Sequence, residues 1–256
     1  MSNTKTRVLI VGARGRMGES LVRLAGQDSQ LELVAGINRE DSLADSIDRC
    51  DVVVEFAHHS LAPSLIQLAL DHGKALVIGT TGHTEEERQA IHRAAERLPI
   101  VFAPNYSIGV NLLFHLTQIA AEILGEPYDQ EVVEMHHRHK LDAPSGTARR
   151  LGEILAETAG GTYDELLVHG RKGDVGARPR RIIGMHALRG GDVVGDHTVH
   201  FATDGERIEL THRASSRDTF ASGALRAARW VVAQKPGLYS MQDVLGLYRQ
   251  AQPDRS

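Results

Sequence analysis

The chain of 256 residues is long enough for one large domain or two modest ones, and its composition of 41% hydrophobic and 24% charged residues is typical of a globular protein. A net charge of −4 at pH 7 provides no overall positive field for binding nucleic acid or an anionic membrane. The single cysteine, Cys50, excludes an internal disulfide, and no apolar run reaches the roughly 18 residues of a membrane helix, so we expect a cytoplasmic protein.

The first hundred residues alternate short apolar runs with amphipathic stretches, which predicts a parallel sheet with helices on both faces. The predicted strands are 7–11, 33–37, 51–56, 75–78 and 100–103. The predicted helices are 17–25, 61–70 and 85–97. The connection 38–49 leaves room for at most a turn or two of helix.

After Asn105 the pattern changes. It predicts helices at 110–124 and 147–158 and strands at 132–135, 181–188, 193–202 and 207–212. Turn sequences at 190–192 (GGD) and 204–205 (DG) predict that the last three strands form an antiparallel meander. The aperiodic, Gly- and Arg-rich segment 168–179 predicts a mobile surface loop, which could act as a lid.

A helix that begins at Asp218 and carries an apparently buried Trp230 is expected to return to the first domain, because a doubly wound sheet needs cover on both faces. The expected fold class is α/β. It combines a discontinuous Rossmann-like domain, 1–107 with 217–256, and an α+β domain, 108–216, with a mixed, mostly antiparallel open sheet.

Segment 12–18, GARGRMG, follows the first predicted strand and opens the first predicted helix. Glycines here allow a tight turn and a close approach of a pyrophosphate to the helix N-terminus. The spacing is G-x-x-G-x-x-G, with Arg14 where a middle glycine often lies. The motif predicts a dinucleotide site, and a strand–helix turn without a ligand is the alternative.

The end of the second predicted strand indicates which dinucleotide is preferred. An acidic residue here would bind the ribose hydroxyls. This chain has neutral Asn38 and then Arg39, a planar cation suited to a 2′-phosphate. With Arg14 and Arg16 nearby, these residues favour NADPH over NADH, although the carboxylate of Glu40 would restore NADH use.

Two polar turns follow the fourth and fifth predicted strands, GTTG at 79–82 and APNYS at 103–107. Each alone is more typical of a simple turn. Because ligands of open sheets bind at the carboxyl ends of parallel strands, we expect both turns to line one crevice with the glycine loop.

Residues 136–140, HHRHK, are all cationic or can become so. A zinc site would use His136, His137 and His139, but adjacent strand residues point to opposite faces and no carboxylate or cysteine is spaced to complete the site. A solvated polar turn is a second interpretation. The third is an anion site with acid/base chemistry, built from imidazoles that titrate near neutrality and the Lys140 ammonium.

The helix start that follows favours the anion site. The N–H groups of Gly146 and Thr147 lie in the first helical turn, where donors lack partners within the helix. Ser145 is placed to cap this helix, and Pro144 fixes the approach of the chain. Such a site favours a small carboxylate or dicarboxylate.

The sequence closely resembles the 4-hydroxy-tetrahydrodipicolinate reductases, also called dihydrodipicolinate reductases, of the diaminopimelate–lysine pathway. The resemblance covers nearly the whole chain in the family's order. The matching stretches are VGARGRMG (11–18), VIGTTG (77–82), FAPNYSIGVN (102–111), the highly specific EMHHRHKLDAPSGTA (134–148), GDVVGDHTVHF (191–201) and ERIELTHRASSRDTFASGAL (206–225).

The resemblance implies an NAD(P)H-dependent reductase whose first domain binds the dinucleotide. Its second domain is then expected to bind a cyclic dicarboxylate and to mediate assembly of a homotetramer. The implied catalytic residues are His136 and Lys140, and the substrate-binding residues are His137, Ser145, Gly146 and Thr147. The candidate cofactor-binding residues are Gly12, Ala13, Arg14, Gly15, Arg16, Met17, Asn38, Arg39, Gly79, Thr80, Thr81, Ala103, Pro104, Asn105 and Tyr106.

The chain departs from the family pattern at two places. Asn38 replaces the acidic residue of members that use both cofactors, and the connection 38–49 is shorter than in longer members. Three other functions match parts of the sequence: a reductase of another small dicarboxylate, a redox-sensing NAD(P)-binding regulator, and a metal-binding protein. A regulator would usually carry a DNA-binding helix–turn–helix or a basic extension, and we find neither.

Overall fold

The computed structural model describes residues 5–247. These residues form two compact units, made of the described parts of Met1–Ile108 with Arg217–Ser256 and of Gly109–Ser216. The expected domain limits also include 1–4 and 248–256, which lie outside the described residues. None of the helices between residues 5 and 247 has both the length and the apolar content that crossing a bilayer requires.

Strands and helices are numbered in chain order. The strands of the described residues are β1 (Thr6–Val11), β2 (Leu31–Ile37), β3 (Val52–Glu55), β4 (Ala75–Ile78), β5 (Pro99–Phe102), β6 (Asp129–His136), β7 (Leu167–His169), β8 (Ile183–Arg189), β9 (Gly195–Thr203), β10 (Glu206–Ala214) and β11 (Gly237–Tyr239). The helices are α1 (Arg16–Gln27), α2 (Ala44–Ile47), α3 (Ala62–His72), α4 (Glu85–Ala95), α5 (Ile108–Leu124), α6 (Gly146–Thr158), α7 (Tyr163–Leu166), α8 (Asp218–Val231) and α9 (Met241–Leu245), with a 3-10 turn at His59–Leu61.

The first unit contains a six-stranded parallel sheet in the order β11-β5-β4-β3-β1-β2. Its central strands consist mainly of Val, Ile and Leu, as expected for strands buried on both faces. One core lies between the sheet and α1 and α8, and includes Leu21 and Leu225. A second core lies under α3 and α4, and includes Leu65 and Ile91. The predicted Rossmann-like architecture is confirmed.

The strand order of this sheet positions its candidate ligand site. The chain runs outward from β1 to β2 on one side and from β3 through β4 to β5 on the other. Ligands of open parallel sheets bind outside the carboxyl ends of the strands at such a switch point. The glycine loop after β1 and the turns after β3 and β4 all lie at carboxyl ends beside that point.

The second unit contains a five-stranded mixed sheet in the order β10-β9-β6-β8-β7. β6 lies at its centre, antiparallel to β9 and parallel to β8. α5 and α6 cover one face through a core that includes Phe114, Leu151 and Phe201. The predicted mixed, mostly antiparallel sheet is confirmed, since the antiparallel pairings of β9 with β6 and β10 together extend over more residues than the parallel pairings of β8 with β6 and β7.

The predicted antiparallel meander of the last three strands of this unit is wrong for its first pair. β9 and β10 form the expected hairpin, but β8 pairs with β6, so that β6 separates β8 from β9. The GGD sequence does form a tight turn, with φ of +54° at Gly191, yet the turn belongs to a crossover past the end of β6. There the Gly190 N–H donates to the His136 carbonyl oxygen at 2.9 Å. Turn sequences specify a reversal of the chain and not the strand that is joined.

From residue 170 onward, the segment 168–179 has no regular secondary structure and is mostly exposed, as expected of the predicted surface loop, and its mobility stays a prediction. It begins within β7, which pairs with β8, and two of its arginines bind one carboxylate on β6. Arg171 donates to Glu131 at 2.6 Å and 3.0 Å, and Arg178 donates to Glu131 at 2.8 Å. Although burial raises the pKa of Glu131, these hydrogen bonds outweigh it and lower the pKa to about 2.

Candidate active site

The glycine loop between β1 and α1 packs so closely that side chains are excluded at two of its glycines. Gly12 has φ of +86°, and a Cβ there would lie 2.8 Å from the carbonyl oxygen of Phe56. A Cβ on Gly18 would overlap the Gly12 carbonyl oxygen and lie 2.7 Å from the backbone of Ala13. The loop backbone therefore lies directly against the first turn of α1.

The start of α1 fits the pyrophosphate of a dinucleotide. Gly15 is the N-cap residue and contributes no side-chain hydrogen bond, so no side chain of the cap competes for the first amides of the helix. The amides and the dipole of a helix N-terminus favour an anion. The residues present thus match the backbone cradle that a nicotinamide dinucleotide requires.

Beside the loop, the end of β2 is tied to it by backbone hydrogen bonds from Gly12 and Ala13 to Ile37, by one side-chain hydrogen bond and by one ion pair. The N–H of Arg14 donates to the Asn38 side-chain oxygen at 2.8 Å. The Arg14 guanidinium is paired with Glu40, the carboxylate that offered an NADH alternative. Arg39 and Arg16 are both exposed. Arg14 is exposed as well, although it is paired with Glu40, so all three guanidinium groups are accessible to a phosphate group.

The turns after β3 and β4 are joined by Glu55, a residue that the sequence analysis did not single out. Its side chain is buried, and one carboxylate oxygen accepts from the Ala57 N–H at 2.6 Å and from the Thr80 hydroxyl at 2.5 Å. Burial raises the pKa of this carboxyl above its ordinary value. Gly79 lies against the Phe56 ring, where a Cβ would overlap the ring, so the turn allows only glycine at this position.

In segment 103–106, which the sequence predicts to bind the cofactor, the polar side chains form hydrogen bonds within the protein. The side chain of Tyr106 is 1% exposed, and its hydroxyl lies 2.9 Å and 3.0 Å from the carbonyl oxygens of Ile78 and Val101. The Asn105 side chain accepts from the Ser107 N–H at 2.8 Å. Both polar side chains thus order the chain that leads into α5, and a cofactor would contact this turn through other atoms.

In the second unit, the end of β6 places a carboxylate and an imidazole on the same face of the sheet. Glu134 and His136 are two residues apart on a strand, and both are buried. The His136 Nδ1 lies 2.6 Å from Glu134 Oε2. His136 was predicted from the sequence as a site residue and Glu134 was not, although the E-x-H spacing on a strand predicts this contact.

Glu134 is also bound by Arg189, which lies at the end of β8. The Arg189 guanidinium donates to both carboxylate oxygens, at 2.8 Å and 2.9 Å, and the Ser145 N–H donates at 3.0 Å. Although burial raises the pKa of Glu134, the hydrogen bonds from His136, Arg189 and Ser145 outweigh it and lower the pKa to about 2. Glu134 is therefore a carboxylate at neutral pH.

Ser145 caps α6 as predicted, but its polar groups are used within the protein. The side chain is 2% exposed, and its hydroxyl oxygen accepts from the Ala148 N–H at 3.2 Å. The same oxygen lies 3.1 Å from Nε2 of His197 on β9. Burial lowers the pKa of His197 to about 3, so this histidine is neutral at physiological pH. Gly146 is exposed and Thr147 half-buried at the helix start.

The remaining cations of the 136–140 run differ in exposure. Arg138 and His139 are exposed, whereas Lys140 is half-buried and its ammonium lies 2.9 Å from Asp142 Oδ1. The rings of His137 and His139 are 6.2 Å apart. Between residues 5 and 247, no three His, Cys, Asp or Glu side chains are grouped as a metal would require.

The Nε2 atom of His136 faces a position where β9 has no side chain. A Cβ on Gly195 would lie 2.9 Å from Nε2. Replacing Gly195 by alanine is therefore expected to displace the imidazole and to lower kcat by about 10- to 100-fold. Steady-state kinetics would measure the loss, with NADPH affinity unchanged.

The neighbouring Gly190→Ala variant is the matched control for this substitution. A Cβ there would meet only the flexible end of the Met135 side chain, at 3.2 Å. Gly195→Ala with wild-type kcat, or equal losses in both variants, would show that activity does not require the space beside His136 Nε2 to be free of a side chain.

The first unit has the parallel sheet and glycine cradle of a dinucleotide-binding domain, and the second has a buried cluster of Glu134, His136 and Arg189 beside a helix N-terminus. The class is that of the oxidoreductases that use a nicotinamide dinucleotide. Two family models match the chain, "Dihydrodipicolinate reductase, N-terminus" over residues 6–106 and "Dihydrodipicolinate reductase, C-terminus" over residues 109–245. The chain belongs to the dihydrodipicolinate reductase family.

Individual relatives agree with this assignment. The 4-hydroxy-tetrahydrodipicolinate reductase of Akkermansia muciniphila is 56% identical over 240 residues, covering 94% of this chain and 98% of that protein. The reductase of the same name from Magnetococcus marinus is 49% identical, covering 94% and 98%. A solved structure of dipicolinate-bound dihydrodipicolinate reductase from Paenisporosarcina sp. TG-14 is 27% identical, with a TM-score of 0.76 over 94% of this chain and 99% of that one.

Proposed function

We propose that the chain reduces 4-hydroxy-tetrahydrodipicolinate, through its dehydrated form, to tetrahydrodipicolinate in diaminopimelate and lysine biosynthesis. The observation that carries the proposal is the juxtaposition, in one unit, of the Glu134-bound His136 with the helix start at Gly146. A cyclic dicarboxylate needs hydrogen-bond donors for its carboxylates and a group that exchanges a proton with its ring. The N–H groups of the helix start and the His136 imidazole suit these two needs. The names of the relatives point to the same reaction.

The substrate is proposed to bind through its carboxylates. The first turn of α6, with Gly146 and Thr147, would hold one carboxylate through backbone N–H groups. Lys140 and His137 would hold the other, and Lys140 would exchange its contact with Asp142 for the substrate. Two fixed carboxylates leave the ring little rotational freedom, and orientation of this kind lowers a barrier by several kcal/mol.

The cofactor is proposed to bind to the first unit, with its pyrophosphate at residues 12–17 and its nicotinamide end near the turns at 79–81 and 103–106. When bound, a reduced nicotinamide supplies a hydride. Glu55 and Phe56 position the turn at Gly79 and Thr80, as the hydrogen bonds and packing described above indicate.

His136 is proposed to supply the proton. Loss of water from the substrate gives a conjugated imine, and addition of a hydride at ring carbon 4 gives an enamine. Proton transfer from His136 Nε2 to the adjacent ring carbon then completes the reduction. A histidine suits this role because its acid form is available near neutral pH.

NADPH is the proposed preferred cofactor, and Arg39 is the proposed ligand of its 2′-phosphate. Arg39→Ala is expected to raise KM for NADPH about tenfold and to leave KM for NADH nearly unchanged, because a charge-assisted contact contributes about 1.5 kcal/mol or more. Arg97→Ala, at an exposed residue in the turn after α4, is a control of equal charge change. An equal effect of Arg39→Ala on both cofactors would contradict this role.

The function is tested by measuring NADPH and NADH oxidation with enzymatically generated 4-hydroxy-tetrahydrodipicolinate. We expect rapid turnover that depends on the substrate, and product formation equal to cofactor consumed. A folded protein that binds NADPH but does not turn over would overturn the proposal. We further propose a cytoplasmic homotetramer, which light scattering on the purified protein would test for its oligomeric state.

A further inference from the structure

We propose that Glu134 is a positioning residue that fixes the tautomer and orientation of His136, and that Arg189 fixes Glu134 in turn. The inference rests on the proposed role of His136 in proton transfer. It concerns two residues that lie 55 positions apart in the sequence and meet at the ends of neighbouring strands.

Both carboxylate oxygens of Glu134 accept hydrogen bonds from neighbouring groups. Oε2 accepts from His136 Nδ1 at 2.6 Å and from Arg189 Nη1 at 2.8 Å. Oε1 accepts from Arg189 Nη2 at 2.9 Å and from the Ser145 N–H at 3.0 Å. A carboxylate in this arrangement only accepts, so the proton of the contact with His136 must lie on Nδ1.

A fixed Nδ1–H leaves Nε2 as the atom that exchanges protons. Nε2 has a lone pair when His136 is neutral and carries a proton when it is charged. This atom faces Gly195, which has no side chain to cover it.

The same contacts join the imidazole to the proposed carboxylate-binding elements. Ser145, whose N–H binds Glu134, is the N-cap of α6. Arg189 also donates to the backbone carbonyl oxygen of Asp142 at 2.6 Å, which anchors the loop that carries Lys140. One buried ion pair therefore sets the relative positions of the proton donor, the helix start and the lysine within this unit.

The titratable and charged groups around His136 come from several elements of the unit. Glu134 lies on its own strand, Arg189 on β8 and His197 on β9, with ring centroids of His136 and His197 5.1 Å apart. Lys140 follows on the next loop. Glu134 is the only one of these four that forms a hydrogen bond with His136 among the described residues.

Glu134→Gln tests the proposal because it keeps the shape of the side chain and removes the charge. Whichever way the amide is turned, its NH2 group meets two donors, either His136 and Arg189 or Ser145 and Arg189. We expect kcat to fall about 10²- to 10⁴-fold, as when a histidine loses its orienting carboxylate. KM for the substrate and NADPH affinity should change less than threefold.

A split between kcat and KM separates positioning from a purely structural role. In Glu134→Gln kcat should fall while KM for the substrate stays close to that of wild type, because only the imidazole loses its orientation. Arg189→Lys, which keeps the positive charge but not the paired contact, should give an intermediate kcat. Folded Glu134→Gln with wild-type kcat, or with kcat and substrate affinity lost to the same extent, would overturn the proposal.

A measurement on the wild-type protein keeps the proposal testable if the variant does not fold. In protein with 15N-labelled histidines, the His136 signals, identified by their loss in His136→Gln, should show a protonated Nδ1 at alkaline pH. A protonated Nε2 would contradict the proposal. This result does not depend on turnover, so the proposed reaction and the proposed positioning role can fail separately.

Discussion

Substitution of His136 by glutamine is expected to lower kcat by about 10²- to 10⁴-fold, the usual contribution of a positioned general acid. Glutamine has a similar reach and still offers Glu134 an N–H donor, so the buried ion pair with Arg189 should persist. It cannot, however, release a proton to the substrate. NADPH affinity should remain within twofold of wild type, because the proposed cofactor-binding residues belong to the other unit.

The matched control for His136→Gln is His139→Gln in the same cationic run. His139 is exposed, whereas His136 is 8% exposed. We expect His139→Gln to retain kcat within about threefold, the spread usual for surface changes of about 0.5 kcal/mol. If both variants lost activity equally, the run would act through its total charge and not through one proton donor.

The second large effect is expected at Gly18, where alanine should abolish NADPH binding. The added methyl group would overlap the Gly12 carbonyl oxygen, so the glycine loop would have to move away from α1. Overpacking against backbone costs on the order of 3 kcal/mol. We expect a lower Tm and a weakening of NADPH binding of at least about 100-fold, since a loop displaced by about 1 Å no longer presents its amides in place.

Gly26→Ala in the same helix is the control for Gly18→Ala. A Cβ at Gly26 meets no heavy atom within 4 Å, and alanine favours a helix over glycine by about 1 kcal/mol. Thermal unfolding should therefore give opposite shifts in Tm for the same chemical change within α1. Isothermal titration with NADPH should show unchanged affinity for Gly26→Ala. Tight NADPH binding by Gly18→Ala would refute the close packing of the loop.

Features of the first unit could be predicted because they depend on local sequence. The apolar run 75–78 predicted β4 with its observed limits. The glycine motif predicted the start of α1 to within one residue. The three-residue β11 and the five-residue α9 were missed, since such short elements carry too few residues to show a period.

The second unit was predicted less well because its site depends on strand order. Arg189 reaches Glu134 only because β8 lies parallel to β6, whereas the GGD turn suggested a hairpin with β9. Glu134 itself was predictable from the period of two along a strand. His197 and Gly195 were not, because their contacts with His136 depend on the register between β6 and β9.

The role of Ser145 illustrates the same limit within a recognised motif. The sequence predicted both a helix cap and a substrate contact, and the structure shows the cap, with the hydroxyl engaged by Ala148 and His197. Exposure of a polar group cannot be read from its position in a motif. The helix start at Gly146 and Thr147 is consequently the stronger candidate for binding a carboxylate.

Transfer of deuterium from NADPH tests the central claim most directly. Wild-type protein would be given enzymatically generated 4-hydroxy-tetrahydrodipicolinate and NADPH deuterated at the transferable C4 position, and the product would be analysed by mass spectrometry and NMR. The account predicts one deuterium per molecule of tetrahydrodipicolinate, at ring carbon 4. Cofactor oxidation without deuterium in the product, or deuterium at another carbon, would contradict it.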